Sequence, residues 1–213
     1  MKKLITIAAG LLALCAAPAM ADETGHWFFK AGVTQLTLEK KLDLTVAGGP
    51  VPGAQLSVKP HMTPSIMVGR YVSPHWAISA TLGVPPHIKG YGAGTIAPYG
   101  KLLEATYGPM AVTAQYHPVQ TGVFRPYVGA GAAIMLIFST KDGSVANSKM
   151  TNDVAPVVEA GADFAVDGKH GFYVDLKKAL LETKATGTLM GFPVVGKAKI
   201  HPLVASAGYV FKF

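Results

Sequence analysis

Six charged residues stand in segments that are otherwise apolar or small: the cations Lys30, Arg125 and Lys177 and the carboxylates Glu159, Asp163 and Asp175. Buried singly, any of them would cost several kcal/mol, so three of each sign in one interior imply mutual pairing. Patterns that announce catalysis are missing. There is no G-x-S-x-G, and the seven histidines, His26, His61, His75, His87, His117, His170 and His201, have no i,i+4 or paired spacing that would suit a metal. His117, two residues from Gln115, reads as a satisfied interior histidine. The chemistry expected of this set is a closed polar plug of Lys30, Gln115, Arg125, Glu159, Asp163, Asp175 and Lys177, with no metal and no cofactor.

Strands must position these residues. Segments with period-two alternation fall at 27–38, 63–72, 76–84, 108–118, 124–138, 154–166, 171–182 and 200–213. In 124–138, Pro126, Val128, Ala130, Ala132, Ile134, Leu136 and Phe138 share one face, opposite Arg125, Tyr127, Gly129, Gly131, Ala133, Met135 and Ile137. The other segments sort likewise. Thr113, Gln115 and His117 oppose Met110, Val112, Ala114 and Tyr116, and Glu159, Gly161 and Asp163 oppose Val158, Ala160, Ala162 and Phe164. Tyr173, Asp175 and Lys177, with Lys30, Gly32 and Thr34, complete the polar face. Arg70 and Lys178 fall on the apolar face, which calls for a bulge or for snorkelling to an interface.

The chain ends on the strand Leu203 to Phe213, with Leu203, Ala205, Ala207, Tyr209, Phe211 and Phe213 on one face and aromatics crowded at its end. Tyr209, Phe211 and the terminal Phe213 resemble the closing-strand signature of bacterial outer-membrane barrels, which implies recognition by the barrel assembly machinery. At the other end, Met1-Lys2-Lys3, an apolar run from Leu4 to Ala17 and Ala19-Met20-Ala21 have the form of a cleaved signal peptide over 1–21. The expected mature unit, 22–213, contains no cysteine, because the single Cys15 lies in the signal.

Half of the residues are apolar and 15% are charged, yet no apolar run after the signal is long enough for a spanning helix. A chain that crosses a bilayer without spanning helices must close a barrel. The fold class expected is therefore all-β, an eight-stranded antiparallel transmembrane β-barrel in the bacterial outer membrane. Tight turns at 73–75, 119–123 and 167–170 share the periplasmic side with both termini, and the long connections 39–62, 85–107, 139–153 and 183–199 face outward. The net charge of +7 is scattered without an Arg-rich stripe, which argues against nucleic acid and suits lipopolysaccharide phosphates.

An eight-stranded barrel is just wide enough for side chains to fill, so the character of the lumen carries the function. Above the plug the inward residues turn apolar, with Met135, Ile137, Ala155 and Val157, and the loop residues Leu189, Phe192 and Val194 extend this path outward. Loop apolarity is equally expected from strand extensions that pack on one another. A funnel that is apolar above and closed by charge below would receive small hydrophobic molecules and release them sideways, with Gly129, Gly131, Pro156 and Gly161 as candidate weak points of the wall. Two alternatives belong to other classes: a rim enzyme using His61, His87 or His201, and a surface structural or receptor barrel without transport.

Several blocks carry a family resemblance across the mature length. Ser79-Ala-Thr-Leu-Gly-Val-Pro85, Glu104 to Met110 followed by Gln115-Tyr116-His117, Phe124-Arg-Pro-Tyr-Val-Gly-Ala-Gly131 and Lys141-Asp-Gly143 resemble OmpW-type outer-membrane proteins, including their alkane-uptake branch. The resemblance implies an eight-stranded barrel with a narrow apolar channel, discontinuous toward the periplasm and emptying laterally. That family commonly has a Trp at the start of the sixth strand, where this chain has Val154. No single gating residue is therefore carried over.

Overall fold

A computed structural model describes residues 24–38 and 41–213; the signal segment lies outside the described residues. The strands in chain order are β1 (Trp27–Thr37), β2 (Lys41–Val46), β3 (Gly49–Pro50), β4 (Ala54–Ser57), β5 (His61–Ser73), β6 (Trp76–Gly83), β7 (His87–Gly94), β8 (Lys101–Tyr116), β9 (Phe124–Asp142), β10 (Val145–Met150), β11 (Asp153–Ala165), β12 (His170–Ala179), β13 (Glu182–Leu189), β14 (Phe192–Lys199) and β15 (Leu203–Lys212). One 3-10 turn, Ala97–Tyr99, follows β7.

Eight of these strands close a ring in the order β1, β5, β6, β8, β9, β11, β12, β15, with β15 returning to β1, and every pairing is antiparallel. They coincide with the eight alternating segments of the sequence. Closure leaves no unpaired edge at membrane depth. Tryptophan and phenylalanine crowd the periplasmic end on the outside, with Trp27, Trp76, Phe124, Phe164, Phe172 and Phe213 all exposed, as an interfacial girdle requires. Val33, Ile78, Val112, Val128, Val158 and Leu176 continue the exposed apolar band upward.

The outward connections are not loops. They fold into β2, β3, β4, β7, β10, β13 and β14, which pair in the order β10, β13, β14, β2, β4, β7 and join the upper end of β8. Two-residue turns make this possible: Met190 and Gly191 both have positive φ, 52° and 84°, matching the type I′ geometry that joins twisted strands into a hairpin. The sequence expectation of strand extensions describes this region better than that of open loops.

Arg70 and Lys178 are accommodated without a register shift at either residue. Arg70 sits at the periplasmic interface, its guanidinium 5.6 Å from the Trp27 ring and its Nε donating to the Gly25 carbonyl at 3.4 Å. Lys178 lies near the outer end of β12, where its Nζ donates to the His201 carbonyl at 2.6 Å. Both snorkel.

Candidate functional site

The lower half of the lumen is a network of charge. Lys30 of β1 crosses to Asp163 of β11 at 2.5 Å, with both side chains buried. Its ammonium also lies 4.2 Å from the Tyr127 ring centroid and 5.3 Å from that of Tyr173, so the aromatic faces contribute to its solvation. Lys177 of β12 pairs with Asp175 on its own strand at 2.5 Å, and its Nζ lies 2.6 Å from Oε2 of Glu159, its register partner on β11. Neutral donors fill the remaining sites: Thr113 donates to Glu159 at 2.7 Å and Tyr127 to Asp175 at 2.9 Å.

Beneath this band Gln115 is fully buried, its amide nitrogen 3.7 Å from the Met67 sulfur and its oxygen 3.3 Å from the His117 ring nitrogen. The His117 ring stacks on Tyr127 at 5.1 Å and meets Tyr71 edge-on at 5.1 Å. Arg125 is the register partner of Asp163 and lies at the periplasmic edge, its Nε donating to the Gly122 carbonyl at 3.0 Å. Lys212, 5.1 Å from the Tyr71 ring centroid, joins the same end. On the opposite wall Thr34 bonds to Ser65 at 2.6 Å and to Ser206 at 2.8 Å. Thr34, Thr113, Tyr127 and Lys212 were not among the sequence candidates for this network, although inward parity marks each of them.

Directly above lies an apolar cavity of about 110 Å³, bounded by Leu36, Tyr107, Met135, Val157, Leu181 and Ile200, with Lys177 and Thr34 at its lower boundary. Of the residues expected on an apolar path, Met135, Ile137 and Val157 line it. Ala155 packs in the same cluster behind them. Leu189, Phe192 and Val194 do not line it. The Met190-Gly191 turn carries them to the tip of the β13–β14 hairpin, where Phe192 is 57% exposed while Leu189 and Val194 are buried opposite Val145 of β10 and Val46 of β2. Leu36, Leu56, Ile88, Tyr107, Leu181 and Ile200 are among the lining residues absent from the sequence-expected path. Leu36, Tyr107, Leu181 and Ile200 continue the inward parities of the segments 27–38, 108–118, 171–182 and 200–213, whereas Leu56 and Ile88 lie on β4 and β7, which alternation does not reveal.

The cavity also reaches the wall. Its boundary includes Gly83 and Pro109 together with Met110 and Ile134, which occupy outward-facing parities and are register partners. Here the ladder between neighbouring strands is thin. The β6–β8 pairing ends at Leu82 with Met110, and β7–β8 pairing begins at His87 with Thr106. Between them stand Pro85, Pro86 and Pro109, none with an N–H to give. Val84 N–H turns to the Pro64 carbonyl on β5, and Tyr107 N–H reaches the Pro86 carbonyl at 3.4 Å. Gly83 permits this: a Cβ there would lie 2.8 Å from the Pro109 ring. By contrast Gly129, Gly131, Pro156 and Gly161, the weak points suggested by sequence, lie in unbroken register between β8, β9, β11 and β12.

Residues 23–213 match the model of the OmpW family. The chain belongs to the OmpW family. Among curated relatives it is 30% identical over 190 residues to outer membrane protein AlkL of Ectopseudomonas oleovorans, covering 88% of this chain and 83% of that one. It is 28% identical over 193 residues to the dibenzothiophene metabolism operon protein PahQ of Pseudomonas aeruginosa, covering 90% of each. The solid-state NMR structure of AlkL in lipid bilayers superposes with a TM-score of 0.74 at 28% identity, over 92% of this chain and 94% of that one. The crystal structure of OprG from Pseudomonas aeruginosa shares the fold, with a TM-score of 0.84 at 18% identity over 92% and 99% of the two chains. This OmpW-family protein is an outer-membrane β-barrel. Val154, which stands where the family commonly has Trp, is 63% exposed on the outside of the barrel and takes no part in the lumen.

Proposed function

We propose that this OmpW-family barrel is a passive channel for small hydrophobic molecules, which enter from outside, occupy the apolar cavity and leave sideways into the membrane. The observation that carries the reading is the position of the cavity immediately above a floor of buried ion pairs. An apolar solute gains by leaving water for walls such as Leu36, Met135 and Val157, and it would have to break paired buried charges to continue downward. Movement through the wall meets less resistance. The proline-interrupted seam between β6 and β8 lies on the cavity boundary and has few main-chain bonds to open. Two relatives at 28% identity are named for a dibenzothiophene metabolism operon, and dibenzothiophene is an apolar fused aromatic, in keeping with an apolar path.

Met135, Ile137, Ala155 and Val157 act in this reading as the solute path, with Leu189, Phe192 and Val194 at the outer rim. Lys30, Gln115, Arg125, Glu159, Asp163, Asp175 and Lys177 act as the plug. No step of it is catalytic, and no cofactor or nucleic acid takes part. Tyr209, Phe211 and Phe213 serve assembly through the barrel assembly machinery, and lipopolysaccharide surrounds the outer surface.

The test is a Met135→Glu variant that keeps the heat-modifiable mobility of a folded barrel. Entry of an apolar fluorescent probe into cells bearing it should fall about tenfold relative to wild type, since an unpaired carboxylate in an apolar pocket excludes the probe or titrates. Undiminished entry would contradict the path, and probe entry independent of the protein altogether would leave a structural or receptor barrel as the reading.

A further inference from the structure

The outer face of the upper sheet carries lysines in an arrangement that folding alone does not explain. On β14, Lys197 and Lys199 point away from the interior, while Val194, Gly196 and Ala198 between and before them are buried. Lys199 stands directly opposite Lys41 of β2, and Lys197 stands directly opposite Lys184 of β13. In such positions the Cβ atoms are about 5 Å apart, and like charges destabilise the sheet. Lys149 of β10, opposite Thr186, extends the same face.

The acids nearby do not cancel this charge. Asp43 faces Lys197 and Glu182 faces Lys199 in register, but Glu182 turns its Oε1 to within 3.8 Å of the His201 ring. All five ammonium groups belong to exposed residues, and none forms an ion pair among the described residues. Among the described residues, five cations therefore share one exposed face of three neighbouring strands and β10 with Asp43 and Glu182, and with Asp153, whose carboxylate accepts from the Glu182 N–H at 2.8 Å.

Its height is set by the strands below. Lys199 is four residues above Leu203, and Glu182 is six above Leu176, both of which belong to the exposed apolar band. Leu180, two residues below Glu182, is exposed as well, so at about 3.3 Å per residue the patch begins roughly 7 to 13 Å above the top of that band, at the level of the headgroups. A cleft of about 770 Å³ opens beside it, lined by the cations Lys41 and Lys199, the single carboxylate Asp43, and Gln55, Leu38 and Leu42, where β2 and β4 meet at a single register pair.

We propose that this face, with Lys41, Lys149, Lys184, Lys197 and Lys199, is a docking site for the phosphorylated headgroup of lipopolysaccharide in the outer leaflet. The phosphates neutralise the opposed lysine pairs that the sheet itself leaves unpaired, and the cleft receives the adjoining glycolipid. The proposal names a site for the lipopolysaccharide contact given above, and it is independent of which solute the cavity carries.

The experiment is titration of the full-length barrel in neutral-lipid vesicles with bisphosphorylated lipid A, with dephosphorylated lipid A and with inorganic phosphate, read by thermal stabilisation. Wild type should bind the bisphosphorylated lipid, and added salt should weaken it. The Lys184→Gln/Lys197→Gln/Lys199→Gln variant should bind it about tenfold more weakly or worse, and the corresponding Lys→Arg variant should recover most of the affinity. Apolar probe uptake in the Gln variant should stay at the wild-type level, so that failure here is separable from failure of the transport reading. Equal affinity for the phosphorylated and dephosphorylated lipids, or for wild type and the Gln variant, would overturn the proposal. Equal response to inorganic phosphate would also overturn it and indicate a free-anion site. If the Gln variant fails to fold, the phosphorylated and dephosphorylated lipids still decide on wild type.

Discussion

The two halves of this barrel's lumen are built from the same strands and obey opposite rules. In the lower half, inward positions of β1, β8, β11 and β12 carry Lys30, Thr113, Glu159, Asp163, Asp175 and Lys177, and each charge finds an opposite charge or a donor within 2.7 Å. In the upper half, inward positions of the same four strands carry Leu36, Tyr107, Val157 and Ala179, and side chains do not fill the space. A charge network must be complete because one missing partner leaves a desolvated ion, whereas an apolar lining can tolerate a void at the loss of some dispersion contact. Closure is therefore assigned to the half that cannot loosen, and reception to the half that can.

Breaking the lower half should have the largest effect. Asp163→Ala leaves the Lys30 ammonium buried without its partner, at a cost of about 3 to 5 kcal/mol in urea unfolding from lipid vesicles. Replacing both partners, Lys30→Met with Asp163→Leu, should recover most of that loss, because two well-packed apolar side chains leave no ion behind. A double variant no more stable than Asp163→Ala would mean that the pair is worth more than its desolvation.

The next effect concerns the seam. Leu82 and Met110 are register partners at the last β6–β8 pairing, so Leu82→Cys with Met110→Cys offers a cross-link at the edge of the interrupted stretch. Oxidation should slow apolar uptake about tenfold, and reduction should restore it, as for a gated passage. Full uptake in the oxidised barrel would move the exit elsewhere.

Smaller still is the contribution of neutral groups between the halves. Thr34→Val removes hydroxyl bonds to Ser65 and Ser206 and should cost about 1 kcal/mol in the same unfolding assay while leaving uptake intact.

The smallest effect lies outside the membrane. Glu104 accepts from Lys101 at 2.7 Å and pairs with His87 at 2.8 Å, and these bonds hold its carboxyl down at about 2 against an ordinary 4.5. A depressed carboxyl stabilises the folded state above its unfolded pKa, and this contribution is lost as pH falls from about 4.5 toward 2. The melting temperature of Glu104→Gln should lie slightly below wild type at pH 6 and converge with it near pH 2; a constant gap across that range would assign the effect to packing.

The membrane part of this fold was legible because the bilayer imposes it. Alternation in Pro126 to Phe138 or Leu203 to Phe213 is strict, since one face meets lipid and the other a narrow lumen, and all eight such segments form the ring. Above the membrane that constraint ends. The Ala54–Ser57 strand is too short to show a period, and the β13–β14 hairpin is closed by Met190-Gly191, where one central residue is not of the Asn or Gly type that signals such a turn. The candidate site divides along the same line. Charged residues at inward parity identified themselves, whereas Leu56 and Ile88 reach the cavity from strands whose placement depends on tertiary pairing alone.

The central claim is that an apolar cavity over a charged floor admits apolar solutes and excludes polar ones. Its most direct test compares entry of a small hydrophobic compound and a polar compound of similar size into cells with and without this protein, at matched surface expression. Faster entry of the hydrophobic compound alone is the predicted result; equal acceleration of both, as through a water-filled pore, or of neither, would contradict it.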